Sequence, residues 1–301
     1  MKPMLAATLK DKPPLRFPCY ASVKIDGIRA VVKDAILLSR TLIPIPNFYT
    51  QDLFGSSGLE GLDGELTVGP SYAPNVMQAT MSGVMSQDGE PDELMYWVFD
   101  YWTDEYAPFS DRILRLQAAE DGNYLGAASI HPRVRLLQQT LIRNEVELLA
   151  YEKAALERGF EGIMTRCPEG RYKFGRSTPK EQFLVKHKRW KDAEAKIIGF
   201  EERMHNANEA TTDERGYTKR SSHKDNLIGT GTLGSFLVVD KDGREFGVGT
   251  GLTDAQRREY WIYRQSLLGG YLTYKSFEQT GVKDAARFAV FKSLRDYRDI
   301  V

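Results

Sequence analysis

At 301 residues, with 42% apolar and 27% charged side chains, the chain has material for two hydrophobic cores and is not a disordered polymer. Its 41 lysines and arginines balance 41 aspartates and glutamates, which excludes a uniformly basic nucleic-acid coat. The N-terminal Met1 to Ala7 carries no signal-like apolar run, no later stretch approaches a membrane span, and Cys19 and Cys167 form neither a disulfide framework nor a zinc site, so an intracellular, non-secreted protein with two buried thiols is expected.

Taken in chain order, Tyr20 to Ile25 and Ala30 to Leu38 read as short strands, and Asp26-Gly27 between them is a turn signal that places Lys24 at a strand end. Leu94 to Phe99 reads as a buried, aromatic-rich strand, with a helix from Ser110 after it. A second helix is marked by Asn144 as cap, Glu147 as capping-box partner and Gly159 as terminator, leading into a strand from Phe160 to Arg166. Helices and strands in this irregular order predict an α+β domain rather than a doubly wound one. From Arg166 to Lys191 basic residues are dense against only Glu169 and Glu181, while acid gathers between Asp88 and Glu105. Local basic density suits a phosphate surface, and a solvated charged face is the plainer alternative. Beyond it, Ala195 to Phe200, Gly234 to Val239 and Arg244 to Val248 read as strands, the last two joined by an Asp242-Gly243 turn. One helix follows, capped by Thr253 with Gln256 and stopped by Gly269-Gly270. A small barrel with one helix is predicted, an OB-fold being the economical form. Arg203 to Gly229, polar and poor in apolar residues, reads as a long loop.

The chemistry centres on Lys24-Ile25-Asp26-Gly27-Ile28-Arg29, which puts an amine, a carboxylate and a guanidinium around one turn. Behind it come, in order, Ser39-Arg40, Asp63-Gly64-Glu65, Tyr96 to Asp100, Glu161-Gly162-Ile163-Met164 and Leu184 to Lys188. This series resembles the motif set of covalent nucleotidyltransferases: ATP-dependent DNA ligases, RNA ligases and capping guanylyltransferases. Pro3 to Leu9, Phe17-Pro18-Cys19, Leu38 to Thr41, Tyr172 to Thr178, Lys191 to Ala195 and Gly216 to Lys224 extend the likeness over nearly the whole chain, to the minimal ATP-dependent DNA ligases of the chlorella-virus type.

That resemblance implies an ATP-grasp-like ligase nucleotidyltransferase domain over residues 1–189 and an OB-fold β-barrel over 190–301, with a DNA-clamp loop inserted at about 203–229. It implies Lys24 as the nucleophile toward ATP. An attacking amine must be deprotonated, and nearby cations such as Lys186 and Lys188 favour that while gripping the α-phosphate. Glu161 and Glu65 match the positions for Mg²⁺ or Mn²⁺, whose preferred ligands are oxygens. Phe99 matches the adenine-stacking aromatic, with Tyr96 or Trp97 left for the core; Arg29 would contact the nucleoside or its phosphate, and Asp26 would orient the reacting groups. Arg40 is the candidate for the 5′-phosphate, with Lys173 and Arg176 beside it, because guanidinium grips phosphate in a bidentate way. Arg215, Tyr217, Lys219, Arg220, His223 and Lys224 of the long loop would close on DNA. Near the C-terminus Arg295 would approach the pyrophosphate, but the run around Arg287 and Arg295 departs from the family's pattern and leaves Arg287 without an assigned role.

The implied partner is nicked duplex DNA, bound by a monomer that closes around it, with no membrane. Lys24 chemistry alone is shared by RNA ligases and capping guanylyltransferases, and an inactive OB-type DNA-binding protein is a further alternative.

Overall fold

The computed structural model describes residues 2–9, 14–120, 131–188, 190–212, 218–221, 226–277 and 289–295. The chain divides into two compact units, Met1–Lys188 and Arg189–Val301.

The first unit holds β1 (Cys19–Val23), β2 (Ile28–Lys33), β3 (Ile36–Ser39), β4 (Leu62–Val68), β5 (Leu94–Tyr101), β6 (Val134–Leu136), β7 (Thr140–Ile142), β8 (Ile163–Arg166) and β9 (Val185–His187). They form two sheets, ordered β7-β1-β8-β9 and β3-β2-β4-β5-β6. All pairs are antiparallel except β5 with β6. β2 and β3 make a hairpin through Asp34 and Ala35, both at positive φ, as the twist of a two-residue turn requires.

The strands on either side of the Asp26-Gly27 turn do not pair with each other. β1 and β2 lie in different sheets, so the segment carrying Lys24 is a crossover. A turn signal specifies a change of direction, and here the pairing on both sides is long-range: β1 lies between β7 and β8, and β2 between β3 and β4.

Helices α1 (Phe48–Phe54), α2 (Val76–Val84) and α3 (Phe109–Glu120) belong to the part of the unit containing the five-stranded sheet. Phe54, Val84, Phe109 and Ile113 from these helices bury with Val32, Leu37, Leu66, Leu94 and Tyr96, each contributing about 1.5–3 kcal/mol of hydrophobic stabilisation. β5 alternates buried and half-buried side chains rather than burying both faces. Helix α4 (Glu145–Glu157) starts at Asn144, whose side chain accepts from the Glu147 amide at 2.9 Å. Glu147 answers to the Arg143 amide instead of the cap residue's own, and Gly159 at φ +91 follows the helix. Leu148 and Ala155 of α4 pack with Cys19, Ala21 and Ile163 under the smaller sheet. Cys19 is buried, whereas Cys167 is only half-buried, because it follows the end of β8.

The second unit holds β10 (Trp190–Asn206), β11 (Ala210–Thr212), β12 (Thr218–Arg220), β13 (Leu227–Asp240), β14 (Glu245–Val248), β15 (Tyr271–Phe277) and β16 (Val290–Arg295). Five of them run in the order β14-β13-β10-β15-β16. No ladder closes this sheet into a full barrel among the described residues, although a single parallel bridge joins Thr250 to Val290, with the Phe291 amide donating to Thr250 O at 2.8 Å. Leu233, Phe236, Val238, Val248, Leu272 and Phe291 form its core. Helix α5 (Asp254–Ile262) carries the full Thr253–Gln256 capping box and lays Tyr260 against Phe236. It ends well before Gly269; a short helical turn, Arg264–Leu267, intervenes.

Among the described residues, the long loop expected from Arg203 to Gly229 is instead largely a β-ribbon. β10 and β13 stay paired out to Asn206 opposite Leu227, and β11 pairs with β12 beyond them. Ladder hydrogen bonds satisfy the backbone whatever the side chains are, so poverty in apolar residues did not prevent strand formation.

Candidate functional site

Lys24 sits just past β1, where its amide donates to Gly162 O at 2.8 Å. Two glycines permit this crowding. A Cβ at Gly27 would stand 2.0 Å from Leu66 O, and one at Gly162 would stand 2.2 Å from His187 O. Next to Gly162, the buried Glu161 carboxylate is paired through Oε2 with Lys24 Nζ and through Oε1 with Lys188 Nζ. Burial alone would raise the Glu161 pKa, but the two ammonium groups outweigh it and hold the carboxyl below its ordinary range.

A cavity of about 230 Å³ opens beside Lys24. Arg29, Arg40, Glu65, Phe99, Arg166, Arg176 and Lys186 line it, with Leu5, Val23, Leu137, Met164 and Leu184 as apolar wall. The N-terminal segment contributes because it pairs beside β9: Leu5 N donates to Gly175 O at 2.7 Å, and Lys186 N to Ala7 O at 3.0 Å.

Arg29 is fixed rather than loose. Its Nε and Nη2 each donate to Asp63 at 2.6 Å, Nη2 also reaches Met4 O at 3.1 Å, and its guanidinium lies 4.8 Å from the Phe99 ring centre. Burial would lower its pKa, but Asp63 more than compensates and raises it. Phe99, Trp97 and Tyr101 of β5 are all half-buried, but only Phe99 of these lines the cavity; Trp97 donates to Thr67 Oγ1 at 3.0 Å, and Tyr96 is fully buried. Glu65, two residues past Asp63 on β4 and opposite Arg29, has its carboxyl pushed up to about 7, because burial outweighs the nearby charges of Lys24 and Arg29. Burial, followed by the charges of Arg176 and Lys24, pulls Lys186 below the usual lysine range; burial and Lys24 do the same for Lys188.

The remaining predicted positions divide. Asp26 is half-buried, does not line the cavity, and adds to the rise at Glu65. Arg40 and Arg176 are exposed at the cavity, Arg176 donating to Ala6 O at 2.7 Å. Lys173 is away from it, bound through Nζ to both oxygens of Glu181 at 2.9 and 2.7 Å. Arg295 donates to Glu194 at 2.6 Å within the second unit. Lys219 and Arg220 fall on β12, and Arg215, Lys224 and Arg287 lie outside the described residues. Among the described residues no group of three or more His, Cys, Asp or Glu side chains makes a ready metal cluster.

Sequence reasoning missed the buried ions that hold this cavity. Asp100 accepts from Arg112 Nε at 2.7 Å and from Arg166 Nη1, all three residues being nearly inaccessible. Although burial alone would raise it, Arg166 and Arg112 hold the Asp100 carboxyl below its usual range. Asp63, already bound by Arg29, also accepts from the Tyr172 hydroxyl at 2.6 Å. The available signal was an aspartate inside each of two strand-like runs, where it is disfavoured unless paired.

A family profile for the DNA ligase OB-like domain matches residues 229–295. Two solved structures of a Chlorella virus DNA ligase-adenylate are similar over the full length. One is 35% identical, covering 98% of this chain and 99% of that one at a TM-score of 0.54; the other is 37% identical, covering 99% of each at 0.55. A structure of Lig E DNA ligases shares the fold at a TM-score of 0.72 and 23% identity, covering 98% of this chain and 99% of its own. A comparison with curated protein sequences returns no match.

Proposed function

On the premise that this chain belongs to the ATP-dependent DNA ligases, we propose that it seals nicks bearing a 3′-hydroxyl and a 5′-phosphate in duplex DNA. The observation that carries the reading is the placement of Lys24 in contact with Glu161, beside Lys188 and in the lining of a cavity shared with Phe99 and Lys186. The Lys24 amine, once free of its proton and of Glu161, attacks the α-phosphorus of ATP, and pyrophosphate leaves. AMP then passes to the 5′-phosphate, and the 3′-hydroxyl displaces it as the nick closes. Each step is a phosphoryl transfer, in which positioning and charge do most of the work.

Lys186 and Lys188 steady the α-phosphate, Phe99 stacks the base, Arg29 holds the nucleoside side, and Asp26 orients the groups around Lys24. Arg40 and Arg176 grip the 5′-phosphate through bidentate contacts. Glu161 and Glu65 would hold a divalent cation such as Mg²⁺ or Mn²⁺. The fit rests on Glu65, a carboxyl whose raised pKa marks too little countercharge, and on phosphate oxygens as the other ligands. When bound, that ion neutralises phosphate charge. The inserted segment at about 203–229, with Lys219 and Arg220 on β12, forms a DNA-contacting clamp on a monomer.

Incubation with α-labelled ATP, followed by denaturing electrophoresis, tests the reading. Label should stay on the protein, vanish in Lys24→Ala, and move to the 5′-end of nicked duplex DNA; label from GTP instead, or transfer only to nicked RNA, overturns it.

A further inference from the structure

Cys19 and Cys167 are distant in sequence and adjacent in the fold. β1 pairs with β8 in antiparallel register, Tyr20 opposite Arg166 and Ala21 opposite Thr165. Continuing that register by one residue sets Cys19 opposite Cys167. Opposed residues share a face of the sheet, here the face of Ala21, Thr165 and Ile163, while Ser22, Met164 and Arg166 face the cavity. The two cysteines also line one small void of about 10 Å³, together with Pro18 and Gln182. Opposed antiparallel residues have Cα atoms about 4.5–5.5 Å apart, within the span a disulfide bridges.

We propose that Cys19 and Cys167 form a peroxide-oxidisable dithiol in which half-buried Cys167 reacts first and buried Cys19 resolves it as a reversible cross-strand disulfide. The order follows from access: Cys19 lies in the core with its thiol pushed up to about 11 by burial and by Cys167, so it carries almost no thiolate. The Cys167 sulfur attacks an oxygen of hydrogen peroxide; an S–O bond forms, the O–O bond breaks, and the departing hydroxide takes the thiol proton as water. The Cys19 sulfur then attacks the Cys167 sulfur; an S–S bond forms, the S–O bond breaks, and hydroxide leaves as water with the Cys19 proton. Two thiols lose two electrons and two protons, and the peroxide is reduced to two waters.

The pair protects the nucleotide cavity. Without a resolving thiol, Cys167 would proceed to an irreversible sulfinic acid, placing a new anion in the small void it shares with Cys19, directly after the strand that sets Met164 and Arg166 at the cavity. A disulfide stops the ladder at a stage that thiols reverse.

The full chain is treated with hydrogen peroxide and followed by intact mass, thiol alkylation and label transfer from α-labelled ATP before and after dithiothreitol. The wild type should lose two hydrogens with both thiols disappearing together, stay monomeric, and regain its labelling fully on reduction. Cys19→Ala should instead gain oxygen and recover less than half of its labelling. In Cys167→Ser, Cys19 should remain reduced under the same dose. Oxygen gain without hydrogen loss in the wild type, an intermolecular disulfide, or equal recovery in wild type and Cys19→Ala would overturn the proposal; the first two need no variant to fold.

Discussion

Glu65 offers a quantitative test of the site's electrostatics. Its ordinary value is 4.5 and its folded value about 7, raised first by burial and held back by Lys24 and Arg29. Between these values the folded protein keeps a proton that the unfolded chain has released, so stability falls as pH rises, by at most about 1.4 kcal/mol per pH unit. Across the whole interval the limit is about 3 kcal/mol, and solvent reaching the half-buried side chain reduces it to roughly 1–2 kcal/mol. Glu65→Gln keeps the shape and removes the titration. Its stability relative to wild type should therefore climb between about pH 5 and about pH 7 and level off above. Urea unfolding followed by fluorescence, at closely spaced pH values and without nucleotide or divalent metal, measures the difference. A constant gap between the two proteins over that range would refute the assignment of a raised carboxyl to Glu65.

Gly27→Ala drives a methyl group against the Leu66 carbonyl, which belongs to a sheet strand and cannot swing away. We expect a loss of about 3 kcal/mol or more in urea unfolding, with weakened labelling because Lys24 shifts with the chain. Asp100→Ala strands two buried guanidinium groups, Arg112 and Arg166, and should cost about 3–5 kcal/mol; a loss under about 1 kcal/mol would mean that water already compensates them.

The grouping of the candidate site was more legible than the architecture. Lys24, Glu65, Phe99 and Lys186, which line one cavity, and Glu161 and Lys188, which pair beside Lys24, could be picked out because each is the residue type the proposed chemistry would demand, in a fixed order along the chain. Caps at Asn144 and Thr253 were legible because they depend on neighbours three residues away. The crossover at Lys24 was not, since Asp26-Gly27 describes a bend and says nothing about partners more than a hundred residues downstream such as Gly162. Nor were the pairings of Asp63 and Asp100, because a charged residue in a strand reads as its solvent face until a partner from another element, such as Arg112 of α3 or Tyr172, closes over it. The polar stretch after Arg203 was misread for the converse reason: its strands extend a register set by apolar residues farther back, at Leu233 and Phe236.

Buried ion pairs set the character of the cavity wall. Arg29 and Arg166 both lie against the Phe99 ring, at 4.8 and 5.5 Å, and each is already paired with a buried aspartate. Their charge is spent within the protein, and they act there as rigid, planar walls beside an aromatic. Arg40, Arg176 and Lys186 line the same cavity without a carboxylate partner among the described residues. The cavity lining thus combines an aromatic, charge-balanced set with a cationic one. Under the proposed function this polarity orients the nucleotide, with its base at Phe99 and its phosphates toward Lys186. Lys24 lines the same cavity, from which the proposed attack on the α-phosphorus starts. Neutralising Arg29 would leave Asp63 without its cationic partner beside Phe99, so under the proposed function the buried aspartates matter to the cavity as well as the visible cations.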